Sequence, residues 1–168
     1  MASVDKNQAI IKYLLQCPQI QDNPLFFNFA EAEDNNKQLL IVANDKRLNQ
    51  TYIDGSVLKR FTFTIIDYRS VAYQALVNTR IVGTTIEDVD DENVEEMLDV
   101  QAIINWIEEQ NDDKNYPDFG SDCIIESIAS TTDNPNLNGV DTSLQPAIAK
   151  YHVSIIVQYL DTSKVLWK

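Results

Sequence analysis

One histidine, two cysteines, four glycines and five prolines are all that the 168 residues carry of these types. Each scarcity removes a class of function. The lone imidazole, His152, lies inside an alternating strand pattern and reads as a partly buried structural residue, which leaves Ser/His/Asp, Cys/His and multi-histidine metal sites poorly supported. Cys17 and Cys123 stand far apart in sequence with no second ligand beside either, so they read as two buried or half-buried thiols of a reducing compartment; a disulfide is the alternative, with nothing in the sequence arguing for it. So few glycines and prolines exclude collagen-like and linker-like chains. They also leave no glycine-rich phosphate loop, because Asp54-Gly55 and Phe119-Gly120 are single glycines in turns. The longest uninterrupted apolar run is Leu39–Ala43, far below the roughly 20 residues that span a bilayer as a helix. The start, Met1-Ala2-Ser3-Val4-Asp5-Lys6, lacks the basic-then-apolar order of a signal peptide. The expectation is a soluble protein made in a cytoplasm, with neither cofactor nor metal.

Positive charge is scarce as well: 13 Lys and Arg stand against 26 Asp and Glu, for a net charge of −13. The imbalance is uneven. Residues 1–86 hold nine basic and eight acidic residues, whereas residues 87–168 hold four and eighteen. Such polarity bears on solubility and partners rather than on fold. It argues against gripping nucleic acid, which needs clustered Lys and Arg at phosphates. It remains compatible with letting DNA pass without sticking.

What is present is 44% apolar residues, an ordinary share for a folded domain, and a length that suits one domain with a core of its own. Ser3 is a plausible cap for a first helix whose apolar face is Ile10, Ile11, Leu14 and Leu15, ended by Cys17-Pro18. After the Asn23-Pro24 turn, Leu25–Ala30 and Leu39–Ala43 read as strands, separated by a polar loop; Asn44–Asn49 reads as a turn. Asp54-Gly55 makes a tight turn into a long strand, Val57–Ser70, where Phe61, Phe63 and Ile65 alternate with Arg60, Thr62 and Thr64. Arg80–Val82 suits a brief strand, and Gly83–Asp91 an exposed excursion. Asn93 caps a second helix of about twenty residues on which Val94, Met97, Leu98, Gln101, Ile104 and Ile107 (or Trp106) follow helical spacing, ended by Asn111-Asp112-Asp113. Tyr116–Gly120 is a turn, Cys123–Ala129 a strand and Thr131–Gly139 a loop. Ala147–Leu160 is the closing strand, followed by a tail over 161–168. This order predicts a single α+β domain over 1–168, a mostly antiparallel sheet with two main helices packed on one face and long loops at about 83–92 and 131–146.

Candidate sites are surfaces rather than chemistry. The acidic run Glu87-Asp88-Val89-Asp90-Asp91-Glu92 has carboxylates enough for calcium but not the order of an EF-hand loop, and a solvated loop is the better reading. Glu108-Glu109 and Asp112-Asp113 sit at the polar end of a helix and read as a solvated face rather than an acid/base pair. Trp106 serves either the core or a subunit contact, since Ile107 can take the core position. Val165, Leu166 and Trp167 form an adhesive tail unless they dock on this chain or a neighbour. Lys59, Arg60 and Arg69 are the notable basic set, but they lie on a strand with alternating sides and do not form a DNA-binding stripe. Trp106, Trp167, Glu87, Asp88, Asp90, Asp91, Lys59 and Arg60 are therefore the candidate subunit or partner contacts.

Asn105-Trp106-Ile107-Glu108 in a helix, the Tyr116-Pro117-Asp118-Phe119 turn, Ile124-Ile125 in a strand and the loop Asn134–Thr142 follow one another. The closing strand then carries Ala147-Ile148-Ala149-Lys150-Tyr151 and ends Val157-Gln158-Tyr159. With Tyr52-Ile53-Asp54-Gly55 ahead of Phe61-Thr62-Phe63, this order resembles the minor capsid and tail-terminator proteins of long-tailed bacteriophages and prophages, from about residue 9 onward. The charged excursion Ile86–Glu96 and the long loop Thr131–Gln145 depart from that pattern. The resemblance implies a sheet flanked by helices and copies assembled as a ring, usually six-fold, at the head-proximal end of the tail. That ring stops tube polymerisation and docks to the head-completion protein. Its partners would be further copies of itself, the tail tube protein and the head-completion or neck protein, with DNA only passing through the channel and no membrane. The location would be the virion's head–tail junction. A head-completion or connector ring is the nearest alternative. An acidic DNA-mimic inhibitor of a host nuclease, using Glu87–Asp99 and Glu108–Asp113, is the alternative of a different class. A small enzyme has no candidate site beyond chance carboxylates.

Overall fold

The structure, a computed structural model, describes residues 5–21, 25–27, 34, 36–41, 46–71, 80–82, 85–87, 91–144 and 147–166, with 46–50, 71, 80–82, 85–87 and 91–96 described as backbone only. Ser3, Asn23-Pro24, Asp88, Asp90 and Trp167 lie outside the described residues.

Two antiparallel strands of 15 residues each, β4 (Val57–Val71) and β9 (Ala147–Asp161), form the spine, paired without a register break from Val57↔Asp161 to Val71↔Ala147. Each is flanked by an interrupted edge. Along β4 run β2 (Lys37–Ile41) and then β3 (Lys46–Thr51); along β9 run β7 (Cys123–Ser130) and then β8 (Asn136–Asp141). The short β1 (Leu25–Phe27) adds parallel to β2, completing a seven-stranded, mostly antiparallel sheet. Register breaks in β3, β7 and β8 interrupt the outer ladders, as edge strands commonly require. A separate two-stranded hairpin joins β5 (Arg80–Val82) to β6 (Thr85–Glu87).

Side chains alternate across the spine. Phe61, Phe63 and Ile65 of β4 with Val153, Ile155, Val157 and Tyr159 of β9 are buried beneath the helices, each such side chain contributing about 1.5–3 kcal/mol by leaving water. The helical layer comprises α1 (Lys6–Leu14), the single turn α2 (Pro18–Gln21) and α3 (Asp91–Asp112). This is the α+β class that the sequence predicts, with its two main helices on one face.

Several local expectations are corrected. Asp5 is the cap of α1, its Oδ1 accepting the amides of Asn7 and Gln8 at 2.9 and 3.4 Å. The buried face of α1 is Ala9, Ile10, Tyr13 and Leu14, while Leu15 is exposed. The face is turned because the Tyr13 ring packs on Trp106, centroids 5.1 Å apart. Pro18 does not merely stop α1; it opens α2 as its first residue, where a missing N–H costs nothing. Helix α3 begins at Asp91, so Asn93 lies inside it rather than at its cap. It buries Val100, Ile103, Ile104, Trp106 and Ile107 and leaves Met97 and Leu98 exposed. Three stretches expected as turn or loop, 46–49, 85–87 and 136–139, are strands. Phe119 returns the chain over the sheet, edge-on to both Phe61 and Tyr159 at 5.5 and 5.4 Å.

Candidate interaction surfaces

Beyond Ile65 the helix-facing line of β4 turns polar. Asp67 and Arg69 follow on the same side, and the β2 register sets Lys37 directly across from Asp67. The buried Asp67 carboxylate accepts Arg69 Nε at 2.9 Å and Nη2 at 3.1 Å, a two-pronged pair, and Lys37 Nζ at 3.4 Å. Arg69 Nη1 reaches on to Asp99 of α3 at 3.3 Å. Lys37 and Asp67 are fully buried, whereas the Asp99 side chain is 63% exposed. Burial pushes the Lys37 ammonium below its ordinary pKa, and Asp67 offsets only part of that. The cluster ties β2, β4 and α3 together; its geometry is that of a structural clamp. Sequence reasoning missed it, because Lys37 and Asp67 are thirty residues apart.

The opposite face of the sheet is mixed. Thr64 and Ser154 share a hydroxyl hydrogen bond at 2.9 Å, and Tyr68 donates to Gln38 Oε1 at 3.0 Å. His152 lies here, with Asn138 Nδ2 3.1 Å from its Nε2; burial and then Lys150 lower its pKa, which favours the neutral ring. Arg60 is on this face too, across from Gln158. Its Nε is buried without a hydrogen-bond partner, and among the described residues its guanidinium makes no ion pair. An unmet buried donor of this kind costs about 1–3 kcal/mol. Lys59, one residue earlier, faces the other side and pairs with Asp161 at 2.6 Å. Burial raises the Asp161 pKa, but hydrogen bonds from Lys59 and Ser163 outweigh it and hold the carboxyl well below its ordinary value.

At the end of the sheet where β4 begins, the Tyr52–Ser56 turn closes through Tyr52 N–H to Ser56 O at 2.9 Å and Gly55 N–H to Tyr52 O at 3.0 Å. Gly55 has φ +92°, and a Cβ there would stand 2.7 Å from Lys164 O. The chain after β9 is fastened at two points: Thr162 N–H donates to Asp122 O ahead of β7, and Leu166 N–H donates to Asp54 O in this turn. Backbone docking leaves apolar side chains outward, Ile53 95% and Leu166 73% exposed.

A groove of about 290 Å³ runs between α1 and the Tyr116–Asp118 segment, lined among others by Gln8, Lys12, Tyr13 and Gln16. Much of its polar lining is already engaged: Gln16 accepts from Asn115, Tyr116 O–H donates to Glu126 O, and Asp118 accepts from Gly120 N–H. Tyr13 O–H is buried without a partner. Burial drives its pKa far up, helped by the Cys17 thiol and the Tyr116 hydroxyl.

Of the contact residues that the sequence singles out, Trp106 is 9% exposed and fills the core against Tyr13. Glu87 and Asp91 are placed by backbone alone, at the end of β6 and the start of α3. Lys59 and Arg60 point to opposite faces, so these two do not form a stripe. Glu108, Glu109, Asp112 and Asp113 are exposed on α3 and its C-terminal end. Among the described residues no three of His, Cys, Asp or Glu stand together as metal ligands, and no helix is long and apolar enough to cross a membrane. Compared with known proteins, the chain matches no family model and no curated protein.

Proposed function

We propose that this chain is a non-enzymatic structural subunit, a tail terminator that forms a ring at the head-proximal end of a phage tail, stops tube polymerisation and docks to the head-completion protein. The observation that carries the reading is the apolar knob at the sheet end. Ile53 at 95% and Leu166 at 73% exposure occupy adjoining backbone held by the Leu166–Asp54 hydrogen bond at 2.9 Å. An isolated monomer gains nothing from presenting such side chains at a fastened site, whereas a subunit covers them with its neighbour or with the tube. The Tyr52–Gly55 turn that carries the knob belongs to the motif order that resembles tail terminators. A head-completion or connector ring would use the same knob and differs in its partner. The exposed carboxylates of Glu108, Glu109, Asp112 and Asp113 favour the second reading, an acidic mimic of DNA that inhibits a nuclease.

The test is the solution mass of the purified chain, alone and mixed with tail tubes, followed by negative-stain imaging. Rings or capped tube ends support the terminator. A chain that ignores tubes and inhibits a nuclease at stoichiometric ratio replaces it with the acidic mimic. A ring that binds head connectors but not tubes transfers the role to head completion.

A further inference from the structure

We propose that the sheet face around Arg60 seats the acidic C-terminal end of α3 from a second copy of this chain, making a front-to-back contact. The inference rests on the reading of the chain as an assembly subunit and names the surfaces by which copies meet.

Two independent features break local rules in complementary ways. The first is Arg60. In a chain with twice as many acidic as basic residues, its Nε is buried and unpartnered, and the described residues offer its guanidinium no carboxylate. Glu126, at the bulge of β7, accepts instead from Gln158 Nε2 at 3.3 Å. Lys46 is the register partner of Arg60 on β3, so a second basic residue belongs to the same row. In the next row Leu58, Leu160 and Ile124 align across three strands, with Ile124 exposed. A half-buried guanidinium whose Nε has no partner, beside the exposed Ile124, is what an interface presents to a carboxylate.

The second feature is the end of α3. Glu108, Glu109, Asp112 and Asp113 crowd the helix C-terminus, which has no basic residue in its last turn. The helix dipole disfavours carboxylates there, and none of these four forms an ion pair among the described residues. They lie on the outer side of the helical layer, since Ile103, Ile104 and Ile107 take the inner side. The basic row and the acidic end therefore sit on opposite layers of one subunit. Two patches that complement each other but cannot meet within one molecule make a heterologous contact, which propagates from copy to copy.

Charge reversal tests this directly. Sedimentation velocity over a concentration series at low salt is run on the wild type, on Arg60→Glu, on a Glu108→Lys/Glu109→Lys/Asp112→Lys variant, and on an equimolar mixture of the two variants. Tube capping is scored in parallel. The wild type is expected to associate. Each variant alone should lose association by about 30-fold or more, and the mixture should recover it, because every junction then pairs opposite charges again. Circular dichroism of each variant establishes that it folds, and recovery in the mixture is a result that misfolded chains cannot give. Association of Arg60→Glu equal to the wild type overturns the inference and leaves the assembly role standing. So does a monomeric wild type that still caps tubes while Arg60→Glu does not, because the guanidinium then meets the tube. A wild type that neither associates nor caps overturns both.

Discussion

Asp67→Asn is the substitution whose consequence the structure fixes most firmly. The carboxylate is fully buried and accepts from Arg69 through Nε and Nη2 at 2.9 and 3.1 Å and from Lys37 at 3.4 Å. Asparagine keeps the volume but loses the charge, and it turns one acceptor into an N–H₂ that faces donors. Two buried cations would then lose the carboxylate they share, and the Asp99 that Arg69 also reaches is 63% exposed and screened by water. Removing one partner from a buried ionic cluster costs about 3–5 kcal/mol, a large part of the roughly 5–15 kcal/mol that holds a domain folded. For a chain of this size that lowers Tm by roughly 6–20 °C. Urea unfolding read by tryptophan fluorescence measures it, in a Trp167→Phe background so that Trp106 in the core gives the signal. Lys37→Met is the control: it leaves the Arg69–Asp67 pair intact and removes a desolvated ammonium, so it should cost far less. If Asp67→Asn costs under about 1 kcal/mol, or if Lys37→Met costs as much, the cluster is not the clamp described and the reasoning fails.

Further expectations concern the other buried groups and the sheet end. Lys37 has a lower pKa folded than unfolded, so between those two values the unfolded chain binds the extra proton and stability rises with pH. The stability of the wild type relative to Lys37→Met should therefore climb as pH rises towards the ordinary lysine range; unfolding free energies of both chains from pH 7 upward check it. Tyr13→Phe removes a buried hydroxyl without a partner and should be neutral or stabilising, by about 1 kcal/mol, visible as a Tm raised by a few degrees. Gly55→Ala places a methyl 2.7 Å from Lys164 O at φ +92°. It should cost about 1–3 kcal/mol and free the tail after Asp161, read as faster proteolytic clipping there; unchanged clipping would mean the tail is held elsewhere.

Local chemistry alone was enough for the parts of the fold where one stretch of chain satisfies itself. The alternation through Phe61, Phe63 and Ile65 announced β4, and the run from Ala147 to Leu160 announced β9, because period-two burial is written in consecutive residues. Asp54-Gly55 announced its turn, and Asn111-Asp112-Asp113 the end of α3. Tertiary pairing decided the rest. Lys46–Thr51 and Asn136–Asp141 carry no apolar alternation and are strands because β4 and β9 offer them an open ladder of backbone donors and acceptors. The face that α1 buries was decided by where Trp106 lies, some ninety residues on, and so was the fate of Trp106, which the sequence left between core and contact. Only the fold sets Lys37 across from Asp67, and only the fold separates Lys59 from Arg60, giving one a partner in Asp161 and leaving the other unmatched. Charge, scarcity and strand period are properties of neighbours in sequence; which charges meet is a property of register, and register is set by distant strands.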